Sequence, residues 1–143
     1  MANIVPFAFK GELASGTHNF SSGGDSFKIA LYTANPYTTS STVFTATDEV
    51  SSSGGSNYPS GGKALTSQTV TATTATTAID FADTTFASAT FTAAFAAIYN
   101  TSASNKLCVV LDFGGNKTAT NGTFTISYPD PSTPSNAIIS ITS

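Results

Sequence analysis

The chain has 143 residues, with eight acidic against five basic side chains and a formal charge of −3 at pH 7. All five cations are lysines, so the guanidinium fork that reads phosphates and guanine edges has no carrier, and nucleic-acid binding is not expected. No apolar run approaches the roughly 20 residues of a membrane span, so no membrane partner is expected. The opening Met1-Ala2-Asn3-Ile4-Val5-Pro6 lacks the basic and uninterrupted apolar regions of a secretion signal.

A chain of this length is expected to form one domain, residues 1–143, that buries about two-thirds of its unfolded surface. The large side chains for that core are 11 Phe and 5 Tyr. The chain also carries 25 Thr and 20 Ser, while Glu, Lys, Arg and Leu are scarce. Threonine is β-branched and suits a half-exposed pleated surface, so the composition points to an all-β fold. The single cysteine, Cys108, excludes an internal disulfide, in keeping with a reducing cytosol.

In chain order, residues 1–20 form an N-terminal segment. Val5, Phe9 and Leu13 are spaced four apart, which predicts a short helix with Pro6 in its first turn and Gly16 as its stop. From Phe27 the period becomes two: Phe27, Ile29 and Leu31 alternate with Lys28, Ala30 and Tyr32, a strand closed by Asn35-Pro36. A second run, Thr42 to Val50, leads into residues 51–62, too rich in Gly and Ser for regular structure and read as a long surface loop within the same domain.

The remaining runs are Lys63 to Thr71, Thr77 to Phe81, Ala89 to Tyr99, Lys106 to Phe113, Gly122 to Tyr128 and Asn136 to Thr142. In the third, strict alternation places Phe91, Ala93, Phe95, Ala97 and Tyr99 on one face. In the fourth, Leu107, Val109, Leu111 and Phe113 form the core face, with Lys106, Cys108, Val110 and Asp112 opposite, a face only half polar, so this strand is expected to be covered on both sides. Gly114-Gly115 and Asn121-Gly122 are turn signals, so the fourth and fifth runs read as an antiparallel pair joined by a loop, with Phe124, Ile126 and Tyr128 facing the core. About eight short strands and one long loop predict a two-sheet antiparallel β-sandwich, jelly-roll-like.

The inventory for catalysis is thin. His18 has no carboxylate or thiol near it in sequence and reads as a turn histidine bonding locally. Cys108 lies between Leu107 and Val109 without nearby cations to lower its pKa, so it reads as a small buried hydrophobe. Asp80, Asp83 and Asp112 are hard oxygen ligands that would suit Ca²⁺ if they met at a sheet edge, but calcium-loop spacing is absent and solvated strand-end acids are expected. Neither a nucleophile elbow, a phosphate loop nor zinc spacing occurs, so the expectation is a non-enzyme without cofactor or metal. Tyr58, between Asn57 and Pro59 in the glycine-rich loop, reads either as an interface anchor or as a residue folded back onto the domain.

Several stretches, in this order, resemble a family of tailed-bacteriophage virion structural proteins. They include Phe9-Lys10-Gly11-Glu12-Leu13, Gly16-Thr17-His18-Asn19-Phe20, Asp25-Ser26-Phe27-Lys28-Ile29-Ala30-Leu31-Tyr32-Thr33 and Thr47-Asp48-Glu49-Val50. Further along come Gly61-Gly62-Lys63-Ala64-Leu65, Ala97-Ile98-Tyr99-Asn100, Leu111-Asp112-Phe113-Gly114-Gly115, Asn121-Gly122-Thr123-Phe124-Thr125-Ile126 and Asn136-Ala137-Ile138-Ile139. Members are described as structural, head-decoration, tail or fibre proteins. The resemblance implies a virion part made in the host cytoplasm, and no catalytic residue carries over. The first expectation is a capsid decoration or cement protein on the outer shell, with the major capsid protein as partner and a homo-oligomer, a trimer by preference, as its assembly. Ile4, Val5, Phe7 and Tyr58 are the expected contact residues, because terminal apolar side chains and loop aromatics need a partner to be buried. The alternative is a tail-fibre or tail-tip module in which Tyr37 and Tyr58 contact a host surface glycan.

Overall fold

The alternation that begins at Phe27 sets the centre of the fold. The computed structural model describes residues 3–129 and 137–142. Among them are one helix, α1 (Phe7–Ala14), and seven strands: β1 (Phe27–Tyr32), β2 (Lys63–Ala64), β3 (Thr69–Ala72), β4 (Thr76–Asp80), β5 (Thr84–Asn100), β6 (Lys106–Ile126) and β7 (Ile139–Thr142). They form two antiparallel sheets in the orders β2-β1-β5-β6 and β3-β4-β7, the two-sheet β-sandwich that the composition predicts. Asn136, where the last run was expected to begin, lies outside the described residues.

Phe27, Ile29 and Leu31 of β1 and Ala96 and Ile98 of β5 meet Ile79 and Ile139 of the second sheet in the main core. The opposite face of the first sheet is covered as well. There Ala30, Tyr32, Ala97, Tyr99, Leu107 and Val110 pack with Tyr37 from the connecting segment, and Ile4 and Phe44 lie against them. The centre of the first sheet is thus buried on both faces, as the half-apolar second face of Lys106 to Phe113 predicts.

Two faces were misassigned, both for one physical reason. β5 and β6 pair along nearly their whole lengths, with register shifts between Ala93 and Phe95 and between Ile98 and Tyr99. At the second shift Ile98 faces Val109 and Tyr99 faces Leu107, so Cys108 is an extra residue on β6. A bulge flips side-chain parity. Cys108 and Val109 therefore share the main core while Leu107 belongs to the second, and Phe91 and Ala93 part company with Phe95, Ala97 and Tyr99. The expected loop between Gly114 and Gly122 is likewise absorbed into the 21-residue β6, as bulges against β5. Seven strands result from the eight predicted runs because two runs fuse into β6, Thr42 to Val50 forms no strand, and Lys63 to Thr71 splits into β2 and β3.

Thr42 to Val50 does not form a strand. It makes only isolated bridges, Val43 to Lys106 and Tyr32 to Glu49, because Asp48 at φ 58° breaks the extended run. The segment lids the outer face instead, with Phe44 stacked on Tyr99 at 4.5 Å. The helix starts after Val5 and ends as predicted at Gly16, whose φ of 77° lets Gly16 N–H reach Leu13 O and Thr17 N–H reach Glu12 O.

Candidate functional site

The N-terminal segment is extended before it becomes helical, and this decides what it exposes. Ile4 and Val110 exchange two backbone hydrogen bonds of 2.9 Å, Asn3 Oδ1 accepts from Asp112 N–H at 2.8 Å, and Phe7 N–H donates to Thr39 O at 2.9 Å. With Ile4 turned half-buried into the second core, the segment presents Val5 and Phe7 outward, 42% and 66% exposed. Between this segment, α1 and β7 runs a groove of about 490 Å³ with Val5, Phe9, Leu13 and Val109 on one side and Ile139 and Ile141 on the other. Ile141 is 49% exposed. A held backbone thus offers several apolar side chains that the domain does not bury.

Tyr58 is not part of that surface. It is 2% exposed, folded back in the second of the two ways open to it. Its hydroxyl donates to Glu49 Oε1 (2.8 Å) and accepts from Leu31 N–H (2.9 Å), while its ring stacks on Phe86 at 5.8 Å. The same Glu49 oxygen accepts from Gly61 N–H at 2.7 Å, so this tyrosine and this acid pin the loop to β1. Tyr37 is buried too, its hydroxyl 2.6 Å from that of Tyr32. The glycan reading built on Tyr37 and Tyr58 therefore loses both named residues: large aromatics on a Gly/Ser loop are the cheapest means of anchoring it.

His18 bonds to residues the sequence keeps far away. Its Nε2 lies 3.0 Å from Glu12 Oε2 and its Nδ1 3.0 Å from Asn100 Nδ2. Asn100 is oriented unambiguously, because Oδ1 accepts from Ser102 and Ala103 N–H and Nδ2 also donates to Asp25 Oδ2 at 2.8 Å. Nδ1 of His18 is then an acceptor and Nε2–H the donor to Glu12. Glu12 Oε1 also meets Lys106 Nζ at 2.5 Å. Burial works to raise the Glu12 pKa, but the hydrogen bonds from Lys106 and His18 and the charge of Lys106 outweigh it and hold it below the ordinary carboxylate value.

Cys108 Sγ sits 3.9 Å from His18 Nδ1, so thiol, imidazole and carboxylate stand in a row. The row is not a nucleophilic site. Burial, with the negative charge of Glu12 and Asp25, pushes the thiol pKa well up, and Cys108 is fully buried. What the arrangement does is fasten α1 and the turn after β5 to the sheet. A sequence reading missed it because the partners of His18 lie 6, 82 and 90 residues away.

Asp83 Oδ1 accepts from Tyr128 N–H and Asp112 Oδ1 from Gly114 N–H, roles of strand-end acids. Among the described residues, no group of three His, Cys, Asp or Glu is placed to hold a metal ion, so Asp80, Asp83 and Asp112 do not assemble. No helix among them is long and apolar enough to cross a membrane. Comparison of the chain with protein-family models, with curated proteins and with solved structures finds no match.

Proposed function

We propose that this protein is a decoration or cement protein of a tailed-bacteriophage capsid, a homo-oligomer that docks on the outer shell and ties neighbouring copies of the major capsid protein together. The observation that carries the proposal is the exposed pair Val5 and Phe7 on a backbone fixed to β6, beside an apolar groove. The collinear resemblance across the chain supports it. In this reading Phe7 enters a pocket on the shell and Ile4 holds the segment in place from behind. Because the protein binds the assembled shell and not the dispersed subunits, it stabilises the shell by mass action, about 2.7 kcal/mol per site when free protein stands at 100 times its Kd.

The test is to strip the protein from purified particles, heat them, and add it back. Bare particles are expected to open at lower temperature, and the wild-type protein to restore them. A Val5→Ser, Phe7→Ser double variant should rebind on the order of tenfold or more weakly, the scale of losing aromatic anchors at an interface. Equal rebinding by the variant, or bare particles as heat-resistant as complete ones, would rule the reading out.

A further inference from the structure

Asn121-Gly122 reads as a turn in the sequence and lies inside β6 in the structure. The register explains the difference. Ala119 faces Phe91 and Gly122 faces Ala89, so Thr120 and Asn121 together oppose Thr90, and β6 carries one residue more than β5. Asn121 takes up the extra length in the left-handed region, at φ 46°, which asparagine tolerates better than most residues. Its backbone N–H donates to a side chain, Thr90 Oγ1, at 2.9 Å. The residue is exposed, and its side-chain amide makes no hydrogen bond among the described residues. Asn3, Asn19, Asn57 and Asn100, by contrast, each have a bonded side-chain amide. Of the nine asparagines, Asn121 alone precedes a glycine.

Such a pair carries its own electrophile and nucleophile. The Gly122 backbone nitrogen gives up its proton to solvent base and bonds to Asn121 Cγ, while Nδ2 leaves as ammonia, and a cyclic imide closes. Water then opens the imide at one carbonyl or the other, leaving aspartate or isoaspartate; no oxidant or reductant takes part. Ring closure needs two things from the fold. The attacking nitrogen must be uncrowded, and Gly122 has no Cβ beside it. The backbone must also turn about the Asn121 Cα–C bond to bring that nitrogen onto Cγ. In a regular strand the turn would break paired hydrogen bonds on both sides, whereas at a bulge the ladder is already interrupted.

We propose that Asn121 is a site of spontaneous deamidation in the folded chain, and that its isoaspartate product is a substrate for an isoaspartyl methyltransferase. The change adds a negative charge to an already acidic protein. In the isoaspartate form it also lengthens the backbone of β6 by one methylene just before the buried Phe124, which packs on Phe86 and Phe91. The proposal is independent of the shell reading. To test it, the full chain is aged at mildly alkaline pH and physiological temperature, beside a sample unfolded in urea. Fragmentation mass spectrometry reads each asparagine, and methyl transfer from S-adenosylmethionine by an isoaspartyl methyltransferase counts isoaspartate. In the folded sample Asn121 is expected to convert at least about tenfold faster than any other asparagine, a barrier lower by about 1.4 kcal/mol. Gly122→Ala should remove that advantage; its Cβ meets nothing nearer than Thr120 O at 3.7 Å, so the variant folds. Conversion seen only in the unfolded sample would show the bulge to be locked and would overturn the proposal. So would conversion at Asn116 as fast as at Asn121, or an unchanged rate in Gly122→Ala.

Discussion

Tyr58 illustrates how one side chain can fix a segment of a dozen residues. Its hydroxyl serves a buried backbone N–H and a carboxylate together. Tyr58→Phe keeps the ring contacts but leaves the buried Leu31 N–H without its acceptor and takes one of two donors from Glu49 Oε1, so it should cost about 1–3 kcal/mol in urea unfolding and raise proteolysis between Ser51 and Gly62. Burial raises the pKa values of Tyr32, Tyr37 and Tyr58, and those of Tyr99 and Tyr128 to about 12, above the ordinary value near 10. The stabilisation these protonated hydroxyls give is complete below pH 10 and is lost as the pH climbs toward and past 12. Alkaline unfolding followed by tyrosinate absorbance should therefore be late and cooperative, with all five tyrosines ionising together; gradual ionisation from pH 10 without unfolding would contradict this. Glu12 acts at the other end of the scale: its contribution is present above the ordinary carboxylate pKa and fades as pH falls through its lowered value. Cys108 should remain unreactive to a thiol reagent until the chain is unfolded, at neutral pH and at pH 9 alike.

At the scale of elements, two glycines separate what backbone freedom is needed for from what it is not. An added Cβ at Gly11 meets nothing within 4 Å, so Gly11→Ala in α1 should stabilise the protein by up to about 1 kcal/mol. At Gly62 the same atom would lie 2.0 Å from Ile29 O at a φ of 78°, and Gly62→Ala should cost more than about 2 kcal/mol and detach β2 from β1. Thermal unfolding of the two variants, one upward and one downward, checks both. The sequence made β1, the Gly16 stop and the sheet class readable because each rests on local alternation or on a residue's own backbone preference. It did not make the faces of β5 and β6 readable, since a bulge is set by the partner strand and reverses the alternation without any residue of unusual type at Cys108. The polar network around His18 was invisible for the same reason, its members being joined only once β5 and β6 pair. Val5 and Phe7 were legible as terminal apolar residues without a partner; the inward turn of Ile4 depended on the bridge to Val110.

At the scale of the whole molecule, the first sheet is covered on both faces, and the exposed large apolar side chains, Val5, Phe7, Val43, Val70 and Ile141, are spread along the chain. If the proposed shell role holds, quantitative mass spectrometry of purified virions is expected to give a ratio to the major capsid protein typical of a lattice component; a handful of copies per particle would count against it. The topology has a further consequence during translation. β1 pairs through the whole of its length with the end of β5, so Phe27 waits for Asn100. At about 5–20 residues per second the ribosome needs roughly 4–15 s to supply it. Throughout that interval the edge of β1 that β5 will cover has no partner, and its neighbours in the nascent chain are the serine-, threonine- and glycine-rich stretches that border it. Their abundance, read in the finished structure as surface, keeps the unfinished chain hydrated until the hairpin of β5 and β6 closes over it.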